Sequence, residues 1–174
     1  MPIDHRPPLR LRYLPVQQRN YILCRERGTP EIPWVRPAEL AYLPPLRGPV
    51  VVVNGAFDLL HSGHMRLIFA ARHKASTLVC LLDTDEKIAR TKGKDRPCLN
   101  FIERANALSY MPIDMIIPIN TQNELKQTIK TLNPTWHFIG EEYRNTHRIA
   151  GTARVFVRMG SLHTTSIVER IKNA

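Results

Sequence analysis

The sequence contains few cysteines and no long apolar run. Its three cysteines, Cys24, Cys80 and Cys98, lie far apart and form no Cys-x-x-Cys pair. This odd, dispersed set indicates neither a disulfide framework nor a zinc site, and it favours a reducing compartment. No stretch approaches the roughly 18 to 20 continuous apolar residues of a spanning helix, so the sequence predicts no membrane span. We expect an intracellular, cytoplasmic protein, with a mitochondrial or virion-associated location left open.

Lysine is absent from the first 73 residues, and the composition of the chain changes near residue 50. Residues 1–49 hold ten of the fourteen prolines, and all their basic residues are arginine. Each proline removes a backbone donor and fixes φ, so this Pro/Arg-rich range is predicted to run extended over a surface. Its apolar side chains are too numerous for a pure linker. We expect an extended N-terminal arm (1–49) that lies on its own domain or on a protein or RNA partner, followed by one domain (50–174).

From residue 50 onward, apolar strand patterns alternate with amphipathic helix patterns. Strands are predicted at residues 50–53, 77–82, 115–119, 136–140 and 154–157, and helices at about 64–74, 101–110, 123–132 and 165–172. Helix-length segments between strands indicate right-handed crossovers and a parallel sheet covered on both faces. The predicted fold class is therefore α/β, a Rossmann-like doubly wound parallel sheet, in which ligands bind at the carboxyl ends of the strands.

The segment VVVNGAFDLLHSGH, residues 51–64, ends the first predicted strand with residues that suit phosphate. Gly55 and Gly63 let the backbone approach a ligand closely. His61 and His64 lie three apart at a predicted helix N-terminus, where free N–H groups and the helix dipole attract anions. A lone histidine or a glycine pair at a strand end is usually an ordinary surface residue or a turn. The combination of these residues at fixed spacing favours a phosphate-binding site.

The same segment resembles the GxFDxxHxGH signature of the cytidylyltransferase-like nucleotidyltransferases. KGKDRP (92–97) with Glu103-Arg104 resembles the KGxxRP…ER segment of the adenylyltransferase domain of ADP-heptose synthase, and FIGEEY (138–143) stands where that family has a strand ending in G-G/D-D-Y/W. RMGSLHTTSI (158–167) is similar to R-T-x-G-I-S-T-T-x-I of glycerol-3-phosphate cytidylyltransferase, with departures at Ser161 and His163. Glu142 is a further departure. The four blocks cover about residues 50–174.

The resemblance implies transfer of a nucleoside monophosphate from ATP or CTP to a small phosphorylated sugar, polyol or alcohol, with release of pyrophosphate. It implies Mg²⁺ bound mainly by the triphosphate, and no metal held by protein ligands alone. The nucleotide base, the acceptor and the oligomeric state stay open. The alternative is a nucleotidyltransferase-fold subunit of a larger ribosomal, respiratory or viral assembly, with nucleotide binding but little catalysis. The net charge of +10 and the arginine-bearing arm motivate that alternative.

The resemblance also implies roles for individual residues. The expected catalytic residues, which stabilise charge at the α-phosphate, are His61, His64 and Lys92. The expected nucleotide-binding residues are Asn54, Gly55, Phe57, Asp58, Gly63, Arg104, Gly140, Thr164 and Thr165, of which Asp58 orients the site or helps to place Mg²⁺. The expected substrate-binding residues are Asp83, Asp85 and Arg158. Ordinary alternatives are a solvated loop at Lys92, a helix N-cap at the threonines, turn formation by the two aspartates and a surface charge at Arg158.

Overall fold

A five-stranded parallel sheet forms the centre of the protein. The computed structural model describes residues 35, 37–42, 45–145, 152–157 and 164–173. The strands are β1 (Val50–Gly55), β2 (Thr77–Asp83), β3 (Met115–Ile119), β4 (Trp136–Gly140) and β5 (Ala153–Val157). They lie in the order β3-β2-β1-β4-β5, and each neighbouring pair is parallel. The predicted α/β class and parallel sheet are confirmed.

Helices cover both faces of this sheet. Within the described ranges they are α1 (Ser62–Lys74), α2 (Asp85–Lys92), α3 (Phe101–Ser109), α4 (Gln122–Leu132) and α5 (Thr164–Lys172). On one face, Leu67 of α1 and Leu108 of α3 pack in one core cluster with the side chains of Val51 and Val53. On the other face, Leu125 and Ile129 of α4 pack with Val50 and Val52. The strand residues alternate between the two clusters because successive side chains of a strand point to opposite faces.

The strand order reverses at β1. Val53 of β1 pairs with Cys80 of β2 on one side and with Phe138 of β4 on the other. The chain builds β1, β2 and β3 outward in one direction and then crosses back to place β4 on the opposite side of β1. A crevice forms outside the carboxyl ends of the strands where the order of a doubly wound sheet reverses. The segment that follows β1 begins at this point.

Part of the range 1–49 belongs to the core. Val35 is 2% exposed and lies in the same cluster as Leu40 and Ile129, and its backbone N–H donates to the carbonyl of Ile116 (2.8 Å). A short 3-10 helix, Pro37–Tyr42, carries Leu40 into that cluster. The apolar packing of the domain therefore begins before residue 50, while the extended arm as a whole stays a prediction.

Helix α2 was not predicted from the sequence. Ile88 is the one apolar side chain that its eight residues, DEKIARTK, bury, so the segment has no apolar repeat. Local signals of a helix start were present: Thr84 is the N-cap, its side chain accepts from the backbone N–H of Lys87, and two acidic residues follow it.

No helix of the described ranges has an apolar stretch of sufficient length to traverse a bilayer.

Candidate functional site

Two histidines are stacked at the start of α1. His61 is the N-cap of this helix, and its Nδ1 accepts a hydrogen bond from the backbone N–H of Gly63 (3.1 Å). An accepting Nδ1 carries no proton, so the neutral ring of His61 holds its proton on Nε2 and is a donor there. The ring of His64 stacks on that of His61 with 3.8 Å between centroids, and the Phe57 ring lies 5.2 Å from His64. The structure thus brings together the two predicted histidines and Phe57.

The N-termini of α1 and α5 meet at the loop between β1 and α1. Thr164, the first residue of α5, donates its hydroxyl to the backbone carbonyl of Asp58 (2.8 Å), three residues before His61. Thr165 follows it in the first turn of α5. Neither α1 nor α5 has an acidic residue in its first turn, whereas α1 has three basic residues in its last turn. Both positive helix ends therefore lie next to the loop between β1 and α1, which favours binding of an anion there.

The loop between β1 and α1 contains strained backbone. Phe57 (φ 47°) and Leu59 (φ 49°) adopt the left-handed region, which costs about 1–2 kcal/mol for each non-glycine residue. Gly55 lies at φ 157°, and a Cβ added there would meet the Phe57 ring at 3.5 Å. Strained residues persist only where surrounding contacts hold them, and they concentrate at functional sites. The side chains of Phe57 and Asp58, both buried, supply such contacts here.

Asp58 holds the segment 96–99 against this loop. The side chain is 1% exposed, and its Oδ2 accepts from the Arg96 guanidinium (2.7 Å) and from the N–H of Cys98 (2.9 Å). Its Oδ1 accepts from the N–H of Leu99 (3.0 Å). Burial by itself raises the pKa of this carboxyl, but the two backbone N–H groups and the guanidinium outweigh burial, so the pKa is lowered. The carboxylate is ionised and bound by protein donors.

Stability should therefore depend on the ionisation of Asp58. A carboxyl whose pKa is lowered by folding contributes stability above its unfolded pKa of about 3.9, and this contribution is lost as the pH falls through the folded value. We expect the difference in unfolding free energy between wild type and Asp58→Asn to shrink below about pH 4. Urea unfolding of both proteins between about pH 7 and pH 3 measures it, with the exposed Asp95→Asn as control. A difference that stays constant over this range would contradict the assignment.

Arg104 ties α3 to the same loop. The residue is 0% exposed, and its guanidinium donates to the carbonyls of Ala56 (2.6 Å) and Leu99 (3.0 Å) and to Asp85 Oδ1 (2.7 Å). Asp85 also accepts from the N–H of Phe101 (3.0 Å). The expected contacts of Arg104 with nucleotide and of Asp85 with substrate stay predictions. Arg104 contacts the backbone of Ala56 directly, and Asp85 contacts Arg104 and the backbone of Phe101.

The remaining predicted residues lie at the carboxyl edge or outside the described ranges. Asp83 ends β2 and forms an ion pair with Lys87. Gly140 ends β4, beside β1, and is buried. Lys92 is exposed in the last turn of α2. Arg158 lies outside the described residues, as do Ser161, His163 and the side chain of Glu142.

Two residues to which the sequence assigned no role contact the end of β1 or the loop that follows it. Arg96, which belongs to the KGKDRP block and for which a solvated loop was the ordinary alternative, forms the ion pair with Asp58. His137 of β4 is 4% exposed, and its Nε2 lies 2.7 Å from Oδ1 of Asn54, the residue before Gly55. The available signal for His137 was a single polar residue inside the apolar strand WHFI.

The carboxylates near the carboxyl edge of the sheet contact protein groups. Those of Asp58, Asp83 and Asp85 are each bound by a protein donor. Within the described ranges, no group of three or more His, Cys, Asp or Glu side chains is placed to hold a metal ion.

The fold and the segment after β1 are those of the cytidylyltransferase-like class of proteins. The model of the Cytidylyltransferase-like family matches residues 52–166, and the chain belongs to this family. The chain is 32% identical over 129 residues to the Bifunctional protein HldE of Campylobacter curvus, covering 72% of this chain and 28% of that protein. It is 35% identical over 121 residues to that of Citrifermentans bemidjiense, covering 69% and 24%. The chain thus spans about a quarter of the length of these relatives.

Solved structures show the same fold. The lipopolysaccharide core biosynthesis protein of Thermoplasma volcanium superposes with a TM-score of 0.51 at 23% identity, covering 66% of this chain and 98% of that chain. The pantothenate synthetase of Thermus thermophilus superposes with a TM-score of 0.53 at 18% identity, covering 72% and 61%. At these identities the similarity concerns the fold alone. The predicted family is confirmed by the family match and the relatives.

Proposed function

We propose that this protein transfers a nucleoside monophosphate from ATP or CTP to the phosphate of a small phosphorylated sugar, polyol or alcohol. The observation that carries the proposal is the stacked pair His61 and His64 at the N-terminus of α1, inside the segment that resembles the family signature. Membership of the cytidylyltransferase-like family supports the reaction class. The choice between ATP and CTP, and the identity of the acceptor, are decided by experiment.

In the proposed reaction an oxygen of the acceptor phosphate attacks the α-phosphorus of the nucleotide. A new bond forms between that oxygen and the α-phosphorus, and the bond from the α-phosphorus to the oxygen that bridges it to the β-phosphorus breaks. Pyrophosphate leaves with the electron pair. A phosphate monoester has its second pKa near 6 and is largely ionised at neutral pH, so the nucleophile needs no general base. The protein has to align the two phosphates and to stabilise the charge that develops between them.

The histidine pair supplies hydrogen-bond donors for that charge. Because Nδ1 of His61 accepts from Gly63, the ring presents its proton at Nε2, the form that donates to a phosphate oxygen. We assign His64 the same role at a second oxygen of the α-phosphate. Donors that are already oriented before the reaction stabilise the transition state more than donors that must reorganise.

The helix ends and nearby cations serve the rest of the triphosphate. In this proposal the N-terminus of α5, with Thr164 and Thr165, binds the β- and γ-phosphates, and Lys92 adds a positive charge near the reacting phosphate. Bound Mg²⁺ supplies further neutralisation of the triphosphate.

The buried ion pairs act on the site through the backbone. Asp58 and Arg104 hold the loop that presents the histidines, since both form hydrogen bonds with protein groups of this region. Gly55 and Gly140 are proposed to lie against the nucleotide because each ends a central strand at the edge where the strand order reverses. Asp83 and Arg158 stay proposed substrate contacts.

Calorimetric titration of the full chain with ATP and with CTP, each with Mg²⁺, tests the proposal. We expect one of the two to bind with a dissociation constant on the order of micromolar and the other more weakly. Pyrophosphate release is then expected with at least one member of a panel of sugar and polyol phosphates. Absence of binding of both nucleotides would overturn the proposal. Binding without pyrophosphate release from any acceptor would favour the assembly-subunit alternative.

A further inference from the structure

His137 is a buried histidine on the strand next to β1, and the histidine pair follows β1 in the chain. It lies on β4, and its Nε2 is 2.7 Å from the side-chain oxygen of Asn54 at the end of β1. A carboxamide oxygen can only accept, so Nε2 of His137 must carry the proton and donate it to this bond. This geometry defines one tautomer of the neutral ring, with the proton on Nε2 and none on Nδ1.

The surroundings of His137 keep the ring neutral. Burial lowers its pKa to about 4, and the positive charge of Arg154 adds to this effect. Arg154 is the residue opposite His137 in the register between β4 and β5. Near neutral pH the ring is therefore not protonated, and its hydrogen bond to Asn54 does not depend on pH in that range.

The hydrogen bond from His137 fixes the orientation of the Asn54 carboxamide. A carboxamide has an acceptor oxygen and a donor NH₂ on opposite sides of the same carbon, and a half-turn exchanges their places. With Oδ1 bound to His137, the NH₂ group of Asn54 is turned away from β4. A flipped carboxamide would need the other tautomer of His137, and the proton on its buried Nδ1 would then have no acceptor among the described residues, which buried N–H groups avoid.

We propose that His137 is a positioning residue, which holds the side chain of Asn54 in one orientation where β1 ends. The expected effect on nucleotide binding rests on the proposed function: the NH₂ group of Asn54, held in one orientation, is a donor for the bound nucleotide. His137 itself does not touch the nucleotide in this proposal. Removing its donor should weaken nucleotide binding only through Asn54.

Three substitutions separate positioning from simple packing. His137→Phe keeps an aromatic ring but removes the donor, whereas His137→Gln keeps a donor for Asn54. Ile139→Val is the matched control, because Ile139 is a buried residue of the same strand two positions further and on the same face. Asn54→Ala, alone and combined with His137→Phe, completes a double-mutant cycle.

Nuclear magnetic resonance tests the positioning without any ligand. In the wild type, the ¹⁵N shifts of His137 should report a proton on Nε2 and no titration above about pH 5, and the Asn54 carboxamide should give one NH₂ pair with a high order parameter. His137→Phe should lower this order parameter, and His137→Gln should restore it. A proton on Nδ1 in the wild type, or an order parameter unchanged in His137→Phe, would overturn the proposal. If His137→Phe does not fold, the wild-type tautomer and the order parameter in His137→Gln decide it.

Nucleotide titration tests the consequence. His137→Phe and Asn54→Ala should each weaken binding by about tenfold, the double variant should be no weaker than Asn54→Ala, and His137→Gln should stay within about threefold of wild type. Losses that multiply in the double variant, or an equal loss in Ile139→Val, would overturn the positioning role. A wild type that binds no nucleotide refutes the proposed function instead, and the carboxamide signals then decide the role of His137 alone.

Discussion

Replacing His64 with alanine is expected to lower the rate of nucleotidyl transfer about 100- to 1,000-fold. The substitution removes one of two donors proposed to bind the α-phosphate as its charge develops. His64 suits this test better than His61, because His61 is also the N-cap of α1 and its loss would cost about 0.5–2 kcal/mol of stability. For His64→Ala the free energy of unfolding should change by about 1 kcal/mol or less, mainly through loss of the ring stack. Pyrophosphate release and urea unfolding measure the two effects.

His73→Ala is the matched control for this experiment. His73 is an exposed histidine in the last turn of the same helix, at the opposite end of α1 from the segment proposed to bind phosphate. Its replacement should leave the rate within about twofold of the wild type, because surface substitutions away from a site have small effects. A His64→Ala variant that keeps a tenth or more of the wild-type rate would remove His64 from the proposed mechanism.

Replacing Asp58 with alanine is expected to lower the free energy of unfolding by about 3–5 kcal/mol. The change leaves the Arg96 guanidinium, whose side chain is 12% exposed, without its carboxylate, and it leaves the N–H groups of Cys98 and Leu99 without their acceptor. It also removes a contact that holds the strained backbone at Phe57. Urea unfolding near neutral pH measures the loss.

Two further variants separate the buried charge from general damage to the loop. Asp95→Ala, an exposed aspartate next to Arg96, should change the unfolding free energy by less than about 0.5 kcal/mol. Arg96→Met added to Asp58→Ala should recover part of the loss, because it removes the charge that Asp58→Ala leaves without a partner. A loss below about 1 kcal/mol in Asp58→Ala would show that the segment 96–99 is held by other contacts.

The elements with a clear apolar repeat were predictable from sequence. The strand at Val50 and the helix that ends at Lys74 were predicted within two residues of their observed limits. The exception was α2, which buries too little apolar surface to show a repeat. Its start at Thr84 depends on capping chemistry, a weaker signal than periodicity.

Some residues of the candidate site could likewise be identified from the sequence, and others only from the structure. The proposal that Gly55, His61 and His64 bind phosphate could be made from the sequence because these residues are close in the chain and lie between a strand and a helix. The roles of Arg96 and His137 were not readable, because each acts on a residue far along the chain.

By itself, the sequence determined the succession of the five strands and of four of the five described α-helices along the chain, the family, and which residue types follow β1. Only the tertiary structure decided which remote side chains support that segment, as with Asp58 and Arg96, 38 residues apart, and Asn54 and His137, 83 residues apart. The physical reason is that neighbours across a sheet are set by the packing order of whole strands. That order results from burial of both sheet faces at once, and no local pattern of residues encodes it.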